Sequence, residues 1–205
     1  MNPEHRFLVT YSISRALGAT FAEQWSQSHS GGEVIQRDLE KTYLPFVELP
    51  WIIAAYSDSA THSEEQRAAL AIGNELIAEL KRADEWLITT PMYNFSVPAR
   101  LKAYIDHIVR TGQTFRTNAD GSFTGLLTGK KVTVIVASAG EYTPGSPIEA
   151  YDDLRAYLKR ILSVIGVTDV TCVQAGSTWK VDRGNADREA FLAGFSDQVA
   201  ALTSF

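Results

Sequence analysis

Three short segments of this chain combine residue types able to hold a phosphorylated, planar ligand. Ser12-Ile13-Ser14-Arg15 follows an apolar run and leads straight into a helical pattern. Hydroxyls and free backbone N–H groups at a helix start attract a phosphate, helped by the positive end of the helix dipole. Arg15 would add a cation. The same serine is equally an ordinary N-cap. Thr90-Pro91-Met92-Tyr93-Asn94-Phe95-Ser96-Val97-Pro98 sets two prolines around an aromatic–amide–aromatic triplet. A stiff loop with aromatic faces, and a carboxamide that both donates and accepts, suits a flat heteroaromatic ring. A capped turn with Phe95 buried ahead of a helix reads the same way. Ser138-Ala139-Gly140-Glu141-Tyr142 joins small residues to a glycine, which lets backbone approach a ligand closely. Each segment alone is generic.

Their value depends on the elements that position them. Apolar, β-rich runs occur at Phe7–Tyr11, Glu33–Leu39, Glu85–Thr90, Lys131–Ala137 and Asp169–Ala175. Leu87-Ile88 and Val132–Val136 are nearly continuous apolar stretches, as expected of strands covered on both faces. Helical patterns lie between them. The first aligns Leu17, Thr20, Phe21 and Trp25 on one stripe, and the second opens with the capping-box spelling Ser63-Glu64-Glu65-Gln66 and runs to about Arg82. A third follows Pro98, aligns Leu101, Tyr104, Ile105 and Ile108, and stops at Gly112. A fourth spans Ala150–Ile165 before Gly166, and a fifth spans Asn185–Thr203. This alternation predicts an α/β fold with a doubly wound parallel sheet and right-handed crossovers. In such sheets ligands bind beyond the carboxyl ends of the strands. All three segments fall at strand exits and together describe one slot.

Two connections exceed what packing requires. Residues 40–62 contain Leu49-Pro50-Trp51-Ile52-Ile53-Ala54-Ala55-Tyr56, an apolar stretch in an expected loop, which points either to a subunit contact or to a loop packed on its own domain. Residues 113–128 predict a small hairpin with Asp120-Gly121 at its turn.

Composition narrows the functional classes. The 205 residues predict a single domain, residues 1–205, with a substantial core. A net charge of -5 disfavours a nucleic-acid backbone or an anionic membrane as partner. Cys172 is the only cysteine, so no internal disulfide forms, and a reducing cytoplasm is the expected location. Met1–Arg6 lacks the apolar core of a signal peptide, and no run reaches the length of a membrane span. His5, His29, His62 and His107 lack metal-ligand spacing, so no metal is expected, and His107 reads as a structural histidine. No G-x-G-x-x-G follows a strand and no G-x-S-x-G elbow occurs. Gly125–Lys130 is one residue short of a Walker A spacing.

Pro91-Met92-Tyr93-Asn94-Phe95, with Thr114-Phe115-Arg116 and Leu127-Thr128-Gly129-Lys130-Lys131 downstream, resembles the FMN-dependent NAD(P)H:quinone oxidoreductases, also called azoreductases. The likeness spans nearly the whole chain and includes Phe21–Trp25, Arg37-Asp38-Leu39, Glu75–Lys81 and Ile165–Val170. The resemblance implies a flavodoxin-like fold with a five-stranded parallel sheet of order 2-1-3-4-5, helices on both faces, and a homodimer with FMN at its interface. It implies that Ser12, Ile13 and Ser14 hold the FMN phosphate. Met92, Tyr93, Asn94 and Phe95 would line the isoalloxazine, and Ser138, Ala139, Gly140 and Glu141 would meet its other edge. Hydride would pass from NAD(P)H to quinones, or to azo compounds that are cleaved, in a ping-pong scheme. The flavin carries that chemistry, so no catalytic side chain is expected. Backbone N–H groups near Asn94–Phe95 and Gly140 are expected to position the ring and stabilise its charge.

The chain departs from the family pattern in three places. Thr10-Tyr11 leads almost directly to Ser12, where the family has a longer loop. Glu141 stands where a Gly is usual, near the expected pyrimidine edge. Thr117 replaces an aromatic after Thr-Phe-Arg. Two other readings share the fold: a flavodoxin-type electron carrier, and a flavin-free binding module. FMN uptake and the colour changes on adding NADH and a quinone separate the three.

Overall fold

A computed structural model describes residues 12–203. Helix α1 (Ile13–Ser28) comes first, and a long connection holds the short helix α2 (Leu49–Ala55). Helix α3 (Glu64–Arg82), strand β1 (Glu85–Pro91) and helix α4 (Ala99–Ile108) follow. Strands β2 (Phe115–Thr117) and β3 (Phe123–Gly125) form an antiparallel hairpin. Strand β4 (Lys131–Ala137), helix α5 (Asp153–Ile165) and strand β5 (Asp169–Ala175) complete the central part. Three short helices close the described chain: α6 (Trp179–Asp182), α7 (Arg188–Ala193) and α8 (Ser196–Ala201).

The sheet runs β1-β4-β5, all parallel, with Pro91 opposite Ala137 and Ala137 opposite Ala175. The strands expected at residues 85–90, 131–137 and 169–175 are therefore present and adjacent in the expected sequence. Phe7–Tyr11 lies outside the described residues. Glu33–Leu39 forms no ladder among the described residues, so the described parallel sheet has three strands where five were expected.

Side-chain alternation along β4 divides the core into two layers. Val132, Val134 and Val136 face α3, α4 and α5, burying Leu76, Ile77, Leu101, Ile105, Leu154 and Leu158. Ile135 and Ala137 face the other way, onto Ile13, Leu17 and Phe21 of α1 and Val199 of α8. Helix α1 sits tight on the sheet: a Cβ on Gly18 would meet Thr89 Cγ2 at 2.5 Å. The N-terminus of α1 therefore lies at the carboxyl edge of the strands, because Ile13 shares a cluster with their last residues, Ala137 and Ala175.

Local chemistry sets several boundaries. Ser63 and Gln66 form the full capping box at α3, with Glu64 and Glu65 in the first turn and Lys81 and Arg82 in the last. Ser63→Ala is expected to cost about 1 kcal/mol of stability, read as a lower urea midpoint with an unchanged slope. A shift indistinguishable from zero would show that the cap does not stabilise α3. Helix α5 ends at Gly166, whose φ of 104° is the left-handed cap that glycine tolerates best. The predicted Asp120-Gly121 turn is present, with Gly121 at φ 82°.

Three expectations need correction. The apolar stretch 49–56 is not loop: Leu49–Ala55 is a helix with Pro50 in its first turn, and it packs Trp51 and Ala54 against Leu70 of α3. The single helix expected over 185–203 is broken at Gly194-Phe195 into α7 and α8. The break lets the tilted rings of Phe191 and Phe195 meet at 5.4 Å while Val199 is driven into the core. The helix expected from Ala150 begins at Asp153, because the Asp152 carboxylate caps Arg155 N–H after a 3₁₀ turn at Glu149–Tyr151.

Candidate functional site

The three sequence-marked segments meet at the carboxyl edge of the sheet. Met92 N–H donates to Ala137 carbonyl at 2.8 Å, tying the exit of β1 to that of β4. Ile13 at the start of α1 packs against the same Ala137.

At the first segment Ser12 caps α1, its Oγ accepting from Arg15 N–H at 3.3 Å. Ser14 and Ile13 are buried, and the two serine hydroxyls lie 3.4 Å apart. The N–H groups of Ile13 and Ser14 are first-turn donors without a hydrogen-bond partner among the described residues. Arg15 does not serve as the loose cation that its position suggested. Its guanidinium is held in a bidentate pair with Asp38, at 3.0 and 3.1 Å, and reaches Glu40 at 3.5 Å. The carboxylate lies in the Arg37-Asp38-Leu39 triplet, 23 residues along the chain, and spacing alone does not reveal the pair.

The hydrogen bonds from Arg15, and after them the Glu40 N–H, hold the Asp38 carboxyl below its ordinary 3.8. A lowered folded value means that the pair's stabilisation is complete above about pH 4 and is lost as pH falls further. Arg15→Gln is therefore expected to lower Tm by more at pH 7 than at pH 3. An equal deficit at both pH values rules the pair out as the source.

At the second segment the chain makes a tight turn. Tyr93 and Ser96 exchange both backbone hydrogen bonds at 3.0 Å, with Asn94 at φ 47° and Phe95 at φ 71° between them. Left-handed backbone is uncommon for a bulky residue such as Phe and costs of order 1–3 kcal/mol, so such strain points to function. The Phe95 carbonyl accepts from Leu154 N–H at 3.0 Å and its ring lies 5.4 Å from that of Tyr151, which fixes the turn from outside. The N–H groups of Asn94 and Phe95 and the Asn94 carboxamide have no partner among the described residues. Tyr93 and Phe95 are exposed, while Met92 packs on the core beneath. The alternative of a capped turn with Phe95 buried is thereby set aside.

At the third segment Ser138 is buried; its N–H donates to Ala175 carbonyl and its Oγ donates to Gly140 carbonyl at 2.9 Å. The N–H groups of Ala139, Gly140 and Glu141 have no partner among the described residues. Glu141 is turned aside: its carboxylate accepts from Ser177 Oγ at 3.0 Å. Gly176 makes this possible, since a Cβ there would meet Glu141 Oε2 at 2.9 Å and Gly140 carbonyl at 3.0 Å. Sequence reasoning missed Gly176 and Ser177; the available signal was a Gly-Ser pair directly after β5. Ser177, at φ 62°, also donates its N–H to Gly140 carbonyl.

Two side chains, His107 and Cys172, have plain structural roles. His107 is fully buried and its Nε2–H donates to Pro45 carbonyl at 2.8 Å, a structural role. Burial pushes the Cys172 thiol up to about 11, which suits an inert thiol. Among the described residues no His/Cys/Asp/Glu cluster could hold a metal, and no helix is long and apolar enough to cross a membrane.

Three segments gathered at the carboxyl edge of a parallel sheet covered by helices define a flavodoxin-like protein, and residues 8–199 match the family described as "Flavodoxin-like fold". A Jannaschia protein named FMN-dependent NADH:quinone oxidoreductase 2 is 47% identical over 190 residues, covering 93% of this chain and 91% of its own. A Burkholderia lata protein named FMN-dependent NADH:quinone oxidoreductase 8 is 44% identical, covering 92% of this chain and 88% of its own. A crystal structure of a Bacillus anthracis FMN-dependent NADH-azoreductase in complex with FMN superposes with TM-score 0.82 at 26% identity, over 95% of this chain and 91% of that one. This chain belongs to the FMN-dependent NADH:quinone oxidoreductase family.

Proposed function

We propose that this protein binds FMN at the carboxyl edge of its sheet and passes hydride from NADH or NADPH to quinones, and to azo bonds, by a ping-pong scheme. The observation that carries the reading is the convergence of unpartnered backbone donors on one edge: Ile13 and Ser14, Asn94 and Phe95, and Ala139 to Glu141. Their chemistry fits the group. A phosphate takes the first-turn amides and the Ser12 hydroxyl. A ring with acceptor atoms on both edges takes the amides of the 94–95 turn on one side and of the 139–141 loop on the other.

Bound there, the flavin supplies two-electron hydride chemistry. The residues of this chain bind, orient and shield. The strained turn fixes the donors of Asn94 and Phe95 in advance of binding, so no ordering is required on association. The amides at Ala139 to Glu141 are fixed dipoles that favour negative charge on a bound ring. Anchoring Glu141 on Ser177 keeps a carboxylate off that edge. Tyr93 and Phe95, both exposed, form an apolar wall on which donor and oxidant can stack in turn.

The finer architecture belongs to the same proposal. We place Glu33–Leu39 as an edge strand of a sheet in the order 2-1-3-4-5, in one domain. The homodimer rests on an apolar face. Ile52 and Ile53 of α2 point outward, with Tyr43, Phe46, Leu49 and Tyr56 beside them, whereas Trp51 is turned inward and is no contact. Sedimentation equilibrium should give twice 22.6 kDa.

The deciding measurement is titration of flavin-free protein with FMN, followed by NADH and then a quinone under anaerobic conditions. Saturable binding, bleaching by NADH and recolouring by the quinone are expected. Failure to take up FMN ends the redox reading. Asn94→Ala tests the ring edge: normal FMN affinity and a normal reduction rate would remove Asn94 from the site.

A further inference from the structure

Beneath α2, at the opposite end of α4 from the 94–95 turn, lies a polar cavity of about 320 Å³. The ten residues of α4 separate the two places by about 15 Å of helix rise. Its lining includes Ser57, Ser59, His62, Asn74, Arg110 and Gln113, and no carboxylate. Arg110 is only 7% exposed. Its Nη2 donates to Asn74 Oδ1, its Nη1 has no partner, and no ion pair forms with it among the described residues. A second buried atom on the same lining, His62 Nε2, also lacks a partner.

The charge balance makes this unusual. A guanidinium cannot escape burial by losing its proton, so a buried arginine requires a counter-charge. A water placed between Nη1 and the unpartnered His107 Nδ1, which both flank Gly73, would complete hydrogen bonds without neutralising the charge. The surroundings add positive potential. Lys81 Nζ reaches Gln113 Oε1 at 3.3 Å, and Arg67 Nη1 donates to His62 carbonyl. Two carboxylates adjoin the lining in sequence, and both are engaged elsewhere: Asp58 accepts from Ala60 N–H at 2.9 Å, and Glu75 pairs with Arg37.

We propose that this cavity is a binding site for a small oxyanion, held by Arg110 in the bidentate manner that guanidinium favours, with Asn74, His62 and the Ser57 and Ser59 hydroxyls completing its shell. The site is separate from the flavin slot, and its ligand stabilises the packing of α2 and the 57–62 turn on α3 and α4.

The test is thermal unfolding with FMN saturating, comparing inorganic phosphate with chloride at equal ionic strength. At about twenty times Kd, phosphate should raise Tm by roughly 5 °C over chloride. Arg110→Gln should abolish that increment. Gln113→Glu, which supplies a carboxylate from within the chain, should raise Tm in chloride and lose at least half of the phosphate increment. If Arg110→Gln does not fold, Gln113→Glu decides the matter. Equal Tm in the two salts, or a full phosphate increment in either variant, overturns the site. The readout is stability, so it stands apart from the outcome of the redox experiments.

Discussion

Replacing Ser12 by Asp should leave the protein folded and weaken FMN binding by about 100-fold or more. The two halves of this expectation have separate causes. Asp caps a helix as well as Ser does, so the bond now made from Arg15 N–H to Ser12 Oγ survives the change, and a carboxylate also suits the positive end of the helix dipole. A phosphate seated on the Ile13 and Ser14 amides would lie within a few ångströms of that carboxylate. Like charges about 4 Å apart at a protein surface repel by about 4 kcal/mol at an effective dielectric constant near 20. Screening reduces this, and a hundredfold loss is the conservative figure. Ser12→Ala is the matched control: it removes the cap, costs about 1 kcal/mol of stability, and introduces no charge, so its FMN affinity should fall far less. The measurement is FMN titration with Tm recorded on the same samples. Wild-type affinity in Ser12→Asp would show that no phosphate sits at the start of α1.

The second large effect concerns stability and lies far from the slot. Gly125→Ala should destabilise the fold by more than about 4 kcal/mol, enough to prevent recovery of soluble protein. A Cβ at Gly125 would stand 2.0 Å from Gly166 N, 2.2 Å from Gly166 Cα and 2.4 Å from Ile165 carbonyl carbon. All three are backbone atoms, so no side chain can swing away. Neither partner is free to move. Gly166 is the left-handed cap of α5, and Leu127 N–H donates to Ile165 carbonyl at 2.9 Å just beyond the crossing. Gly121→Ala provides the contrast. Gly121 has φ 82° but nothing within 4 Å of its would-be Cβ, so only the backbone strain of about 1–2 kcal/mol applies. Urea midpoints for the two variants that agree would disprove the close crossing of β3 and α5.

Much of the fold was legible because it rests on local rules. The box Ser63-Glu64-Glu65-Gln66, the stop at Gly166 and the Asp120-Gly121 hairpin are each decided within a few residues. The break at Gly194-Phe195 was not, because it exists to bury Val199 under α1, a contact between residues far apart in the chain. The 49–56 stretch failed for a related reason. Its apolar content suits a loop or an interface equally, yet Trp51 is claimed by Leu70 of α3 while Ile52 and Ile53 face outward.

For the site, residue order determined which segments face a ligand: alternating strands and helices force the exits of β1 and β4 and the start of α1 to one edge of a parallel sheet. Residue type determined that these segments carry hydroxyls, small residues and an aromatic–amide pair. Only the tertiary structure decided how charge is placed among them. Arg15 is consumed by Asp38, Glu141 is drawn onto Ser177, and Arg110 is left buried without a carboxylate. The physical reason is range. Caps and turns are set by bonds spanning a few residues, whereas a charge takes whichever partner folding brings within about 4 Å, and spacing along the chain does not encode that choice.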